Sequence, residues 1–368
     1  MVLGGEHRNA LGIVRNLGSL GIPIFVGGNS LLARSLYSRF ASKRFVYPPV
    51  SQGLEATQTA VIEKVRQLRP RALLPCMDDD WKLVRTFYDE YTEYTSVVPC
   101  PTEDVFAQVI NKGTMTQRAQ EIGVDTPKTF LPQPGDPDSA MGHGLPYPVL
   151  VKPLRGIAGK GIHIANDAIE LVAAIDDLEA PFLIQEFIDG QDLDLTILCD
   201  HGEPLAGSAY INLRNAPLPY GPPVACRTIE DAQLMASGVK FLRGLAYHGV
   251  AHLDYRQDPR DRKPKLLDFN ARLAGTNEIS ILSGVNFPLL LYRLALGEKV
   301  EPCFHYMCDL EFRWILFGEL RHFIQTTDKG RVARDLLKLK NVKTNIRLTD
   351  PFPHVAHLLG MTRSSALP

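Results

Sequence analysis

The stretch VLVKPLRGIAGKGIHIA, residues 149–165, sets a β-branched run and a lysine ahead of a turn containing Gly156, Gly159 and Gly161. A P-loop ends G-K-[ST] at fixed spacing and opens a helix. Here Gly159-Lys160-Gly161 runs instead into Ile162-His163-Ile164, which alternates like a second strand. The glycine loop therefore lies between two strands, and the rest of the chain has to explain a loop of that kind.

The chain has 368 residues, too long for one compact core, so two or three subdomains are expected. With 40 basic and 41 acidic residues the formal net charge is -1. That balance gives no electrostatic case for nucleic acid or an anionic membrane, and any basic site is local. Cys76, Cys100, Cys199, Cys226, Cys303 and Cys308 form no C-x-x-C pair, which points to free thiols in a reducing, cytoplasmic setting. No apolar run approaches the roughly 20 residues of a membrane span, and no basic-then-apolar leader precedes the first strand. Residues 1–3 leave so little room for that strand that the start reads as trimmed.

Residues 1–100 read as alternating strands and helices. Residues 2–3 are strand-like, and Gly4-Gly5 turns into an amphipathic helix over 10–20 with Ile13, Val14, Leu17 and Leu20 on one stripe. Strands follow at 22–26, 72–75 and 96–98, with helices at 54–68 and 79–91. This is a doubly wound α/β pattern, whose ligands sit beyond the carboxyl ends of the strands. Gly4, Gly5, Gly27 and Asp78-Asp79-Asp80 fall at such ends. After two short helices and the Pro/Gly-rich segment 132–148, strands are expected at 149–152, 162–165, 182–187, 193–199, 205–212, 250–255 and 264–269, with helices from 167 and over 232–246. The arrangement suits antiparallel sheets covered by helices, an α+β pattern. The tail after Val300 reads as mixed helix and loop.

In Asp268-Phe269-Asn270-Ala271-Arg272, strand alternation projects Asp268, Asn270 and Arg272 to one face. Two oxygen donors and a cation on one face suit a hard metal bridging phosphates, and Asp254 on the preceding strand adds a third donor. The ordinary alternative is the solvent face of an amphipathic strand. Lys152, at the end of an apolar strand, reads as solvated when isolated and as a phosphate clamp beside a glycine loop. Gln185-Glu186-Phe187-Ile188-Asp189-Gly190-Gln191-Asp192 offers extended backbone to an adenine edge and a carboxylate to a ribose. Its plain reading is a strand end with a turn. Lys112 opens a helix where its ammonium can reach an anion.

Taken in order, Lys112, Lys152, the glycine loop, Q-E-x-x-x-G-x-D, Asp254 and D-x-N-x-R resemble the ATP-grasp superfamily across nearly the whole chain. L-P-C-x-D-D at 74–79 resembles the carboxylate–amine ligases of the D-aspartate-ligase-like type. The resemblance implies an N-terminal α/β domain (1–105), an ATP-grasp first subdomain with a glycine-rich flap (106–185), a second subdomain with the metal site (186–300) and a C-terminal extension (301–368). It implies ATP contacts from Lys112, Lys152, Gly156, Gly159, Lys160, Gly161, Gln185, Glu186, Ile188 and Asp192. Magnesium, or manganese in its place, falls to Asp254, Asp268 and Asn270, with Arg272 and Arg214 at the reacting groups. Asp268 is one methylene shorter than the usual glutamate, and His252 stands where some dipeptide-forming relatives carry arginine.

The implied reaction joins a small-molecule carboxylate to an amine through an acyl phosphate, with release of ADP and phosphate. Rival readings are a bicarbonate-using carboxylase or carbamoyl-type ligase, and a nucleotide-binding module without turnover. Gly4-Gly5-Glu6-His7-Arg8-Asn9 does not spell G-x-G-x-x-G, which disfavours a nicotinamide-dependent dehydrogenase. The sequence leaves the oligomeric state open, a homodimer being the commonest arrangement of soluble enzymes. Substrate selection is expected from the loops at 4–9, 78–80 and 214–223.

Overall fold

The computed structural model describes residues 1–133, 137–142, 144–156, 161–178, 181–218 and 221–364. In the N-terminal part, strand Ile24–Gly28 pairs in parallel with Ala41–Val46, and Ala72–Leu73 pairs in parallel with Ser96–Val97. Val2 joins the two pairs through parallel bridges to Val26 and Leu74. Short as it is, the first segment is hydrogen-bonded on both sides, to Phe25 and Gly27 and to Leu74. Helix Arg8–Ser19 packs Ile13, Val14 and Leu17 with Val2, Val26 and Leu74, while helix Leu54–Leu68 packs Val61, Ile62 and Val65 with Leu3, Leu73 and Val97.

Two local differences from the sequence reading have simple causes. Strand Ala41–Val46 was not anticipated because Ser42, Lys43 and Arg44 are exposed and break the apolar alternation; such charge suits a sheet edge. The helix expected over 79–91 divides into Asp78–Thr86 and Tyr88–Thr92, because Phe87 leaves helical geometry at φ -118°, ψ 33°.

The middle of the chain forms a four-stranded antiparallel sheet in the order Thr129–Phe130, Phe182–Glu186, Val149–Pro153, His163–Ala165. The glycine loop accordingly joins two antiparallel strands. Gly159 and Lys160 lie outside the described residues. Helix Ala168–Asp176, capped by the Asp167 carboxylate, seals the sheet with Leu171 and Ala174.

A seven-stranded sheet follows in the order Pro264–Asn270, Gly249–Gln257, Gln191–Asp200, Glu203–Asn215, Pro223–Ile229, Glu311–Arg313, Val342–Thr344. Its pairs are antiparallel except the last, which is parallel. Helices Lys112–Ile122 and Ala232–Gly244 bury Met115, Ala119, Leu234, Phe241 and Leu242 against Leu195, Ile197, Leu253 and Leu266. Strand Pro223–Ile229 was not anticipated. The tail also departs from the expected mixture of helix and loop, since it adds two three-residue strands, too short to register as alternation. No helix among the described residues is long and apolar enough to cross a membrane.

Candidate active site

One cavity of about 400 Å³ lies where the two antiparallel sheets and the N-terminal part meet. Its most polar corner comes from two neighbouring strands. Asp254 on Gly249–Gln257 stands opposite Asp268 on Pro264–Asn270, and His252 stands opposite Asn270. Strand alternation turns these four side chains to the cavity. Asn270 Nδ2 donates to Asp254 Oδ2 at 3.3 Å, and His252 Nε2 lies 2.9 Å from Asp254 Oδ1. Arg272 closes the corner, donating through Nη2 to Asn270 Oδ1 at 3.0 Å and through Nε to Asp78 Oδ1 at 3.1 Å.

The electrostatics divide two adjacent carboxyls. Burial raises both, but the bonded His252 outweighs it at Asp254, whose carboxyl falls below its ordinary range. Asp194, buried and facing the charge of Asp254, is pushed well above its own. Asp254, Asp268 and Asn270 thus present a cluster of hard oxygens, two of them on carboxylates, with cations close by. That donor set fits a magnesium-class ion.

Two lysines border this corner. Asn111 caps helix Lys112–Ile122, its Oδ1 accepting from the Gly113 and Thr114 N–H groups, and Lys112 N donates to Leu154 O at 2.9 Å. The Lys112 ammonium then reaches Asp268 Oδ2 at 2.5 Å. Lys152, on the strand entering the glycine loop, donates through Nζ to Gln185 Oε1 at 2.6 Å. Burial, then the neighbouring Lys112 charge, brings Lys152 down to about 8. Gln185 Nε2 in turn donates to Thr129 Oγ1 at 2.9 Å, so Gln185 orients Lys152 and is not among the residues lining the cavity. Gly156 and Gly161 flank the loop and also lie outside the lining; Gly161 takes φ +71°, a conformation glycine adopts without strain.

Glu186, Ile188 and Asp192 line the cavity at the crossing between the two sheets. The Glu186 carboxylate is held by Lys128 N at 2.9 Å and by Arg260 at 3.1 Å. Asp192 Oδ1 accepts from Arg256 Nε at 2.8 Å, and Arg256 also donates to Ile188 O at 3.0 Å. Gly190 is required here by space, since a Cβ would come 1.9 Å from Gln257 O.

Arg214, expected at the reacting groups, is placed elsewhere. The register of its strand shifts on both sides of it, between Asn212 and Arg214 and between Arg214 and Asn215. The bulge leaves Asn212 and Asn215 in the cavity wall and turns Arg214 to the tail. There Glu319 grips its Nε and Nη2 at 2.8 and 2.6 Å, with Asp335 and Glu311 at 3.4 and 3.5 Å.

Asp194, Asn212, Asn215, Arg256 and Thr276, which are not among the sequence candidates, also line the cavity. The i, i+2 spacing of Asp192 with Asp194 and of Asp254 with Arg256 carried a signal for two of them. Of the acidic run at 78–80, Asp80 holds Met77 N at 3.0 Å and Tyr47 Oη at 2.8 Å, whereas Asp78 reaches Arg272.

A family model described as ATP-grasp in the biosynthetic pathway with Ter operon matches residues 179–315. The chain is 25% identical over 195 residues to the carbamoyl phosphate synthase large chain of Gemmatimonas aurantiaca, which spans 50% of this chain and 18% of that one. It is 22% identical over 238 residues to the D-aspartate ligase of Enterococcus faecium, spanning 58% of this chain and 56% of that relative. Among solved structures, the biotin carboxylase domain dimer of Hydrogenobacter thermophilus 2-oxoglutarate carboxylase, with MgADP, ADP and bicarbonate, has a TM-score of 0.67 at 16% identity, over 84% of this chain and 72% of that one. The L-amino acid ligase of Bacillus licheniformis has a TM-score of 0.64 at 18% identity, over 82% and 76%. The family match, the relatives and the shared mixed helix-and-sheet fold agree that this chain carries an ATP-grasp domain.

Proposed function

We propose that the chain ligates a carboxylate to an amine at the expense of ATP. The observation that carries this reading is the convergence of Lys112, Lys152, Asp254, Asp268, Asn270 and Arg272 on one cavity. In this reading the N-terminal part is a doubly wound domain (1–105), residues 106–185 and 186–300 enclose ATP, and 301–368 is an extension. Asp254, Asp268 and Asn270 would hold magnesium or manganese, which would supply charge neutralisation to the nucleotide phosphates.

Lys112 and Lys152 hold the phosphates, with Gly156, Gly159, Lys160 and Gly161 of the glycine loop as further proposed ATP contacts, Gly159 and Lys160 lying outside the described residues. Glu186 and Ile188 frame adenine, Gln185 supports the nucleotide indirectly by holding Lys152, and Asp192 serves the ribose. A substrate carboxylate oxygen attacks the γ-phosphorus in line, ADP departs, and an acyl phosphate results. The amine then attacks the acyl carbon, the carbon–oxygen bond to phosphate breaks, and an amide forms. Arg272 offsets charge first on the transferring phosphoryl group and then on the tetrahedral oxyanion. Positioning and electrostatics supply the catalysis, so no serine or cysteine nucleophile is required.

The paired carboxylate–amine reading draws on the D-aspartate ligase and L-amino acid ligase relatives. A bicarbonate reading draws on the carbamoyl phosphate synthase relative and the neighbour solved with bicarbonate. Six free cysteines suit a cytoplasmic setting, and a homodimer is proposed in keeping with the dimeric neighbour. The test is ADP release from ATP across paired acids and amines, with mass detection of product. Asp268→Ala and Lys152→Ala should abolish it in folded protein. Full ADP release by both variants overturns the ligase reading, and release that needs bicarbonate but no amine selects the alternative.

A further inference from the structure

Of the five lysines and arginines lining the cavity, three pair with a carboxylate among the described residues and two, Lys152 and Arg8, do not. Lys112 pairs with Asp268, Arg256 with Asp192 and Arg272 with Asp78, while Lys152 is held by Gln185. Arg8, at the start of helix Arg8–Ser19, lines the same cavity and has no ion-pair partner among the described residues. Its Nη1 donates to Pro223 O at 2.8 Å, and its guanidinium lies over the Trp314 ring, 4.5 Å from the centroid. Glu278, whose charge it feels, is paired with Arg347 at 3.5 Å. The guanidinium is thus fixed by one backbone acceptor and one aromatic face, and its Nε and Nη2 edge meets no hydrogen-bond acceptor among the described residues.

Gly275 is what leaves that edge open. A Cβ built there would stand 3.1 Å from Arg8 Nε and 3.2 Å from Nη2. Two parallel N–H donors on a planar, immobilised fork match the two oxygens of a carboxylate. The wall nearby is polar as well, since the buried Asn212 Oδ1 and Asn215 Oδ1 accept no hydrogen bond among the described residues. A fork fixed before the ligand arrives loses little freedom on binding.

We propose that Arg8 anchors a carboxylate that does not react, carried either by the amine substrate, as in an amino acid, or by the acid substrate as a second acidic group. The inference rests on the ligase reading and narrows its substrates to pairs that retain a free carboxylate in the product.

The test uses the full chain, ATP and magnesium. ADP release is measured with the common amino acids of both configurations: amine partners are compared with their carboxamides, and dicarboxylic acid partners with analogues amidated at one carboxylate only, so that a reacting carboxylate is always present. In wild type, replacing the anchored carboxylate by carboxamide should raise KM by roughly 10- to 100-fold, the effect of losing a charge-assisted pair. The partner on which that preference appears names its source. In Arg8→Gln the acid-over-amide preference should shrink to within a few-fold of unity, with Arg8→Lys intermediate because it keeps the charge and loses the fork. Gly275→Ala, which covers the fork and keeps the charge, should lower the preference in the same direction. A melting shift with ATP and magnesium reports that each variant is folded. Undiminished preference in both Arg8→Gln and Gly275→Ala overturns the anchor, as does a change confined to KM for ATP, which would assign Arg8 to the nucleotide. A folded wild type that releases no ADP with any pair overturns the ligase reading itself.

Discussion

The ammonium of Lys112 lies 2.5 Å from Asp268 Oδ2, although 156 residues separate the two in the chain. A residue proposed for phosphate and a residue proposed for metal therefore neutralise each other before either ligand arrives. In the proposed complex, binding would exchange this one contact for two, lysine to phosphate and aspartate to metal.

Each half of that pair can be tested alone. Lys112→Met removes a charge-assisted phosphate contact, so KM for ATP should rise roughly 10- to 100-fold. Asp268→Asn should raise the magnesium concentration needed for half-maximal ADP release, while Asp268→Glu, which keeps the charge, should retain turnover. ADP release titrated with ATP at several magnesium concentrations measures both. Equal magnesium dependence in Asp268→Asn and wild type removes Asp268 from the metal site.

Lys152 predicts a pH dependence. Its ammonium, brought down to about 8 by burial and Lys112, is present below that pH and lost as pH rises through it. The value of kcat/KM for ATP should therefore fall on the alkaline side with a midpoint near there, and Lys152→Arg should remove that limb. Unfolding is not an alternative cause arising from this group. Between about 8 and 10.5 the unfolded chain binds more protons at this lysine, so its contribution to stability grows with pH.

Arg214 and Glu319 make a different prediction. Glu319 is 2% exposed, and removing the arginine leaves its carboxylate buried without its partner. Arg214→Ala should cost about 3–5 kcal/mol, read as a lower denaturation midpoint, and Arg214→Met with Glu319→Leu should recover much of it. A variant that keeps its stability while losing ADP release would instead return Arg214 to the chemistry.

The tail is fastened by another buried pair. Arg15 Nε donates to Asp350 Oδ2 at 2.8 Å with both side chains fully buried, and the same carboxylate accepts from Ser38 Oγ and Arg39 N. Asp350→Ala should cost about 3–5 kcal/mol and speed proteolytic cleavage after residue 340, measured by limited digestion. Unchanged digestion would mean that the tail is held by its other contacts.

The features legible in the sequence are those written in local period. The strand after the glycine loop and the D-x-N-x-R strand follow from alternation at period two, and the strands at Val149–Pro153 and Phe182–Glu186 from short continuous apolar runs, both readable without reference to distant parts of the chain. The helix over 54–68 was bounded correctly because its buried stripe lies within the same fifteen residues. What the tertiary structure decided depends on register and on partners far along the chain. Register shifts on both sides of Arg214 turn it to the tail, away from the reacting groups where the family resemblance put it, and no local pattern in the sequence announces such a bulge. The strands at Glu311–Arg313 and Val342–Thr344 exist because a sheet edge was there to pair with, not because three residues specify a strand. Arg8 acquires its uncommitted fork only where Trp314, Pro223 and Gly275 come together, three positions that no sequence period connects.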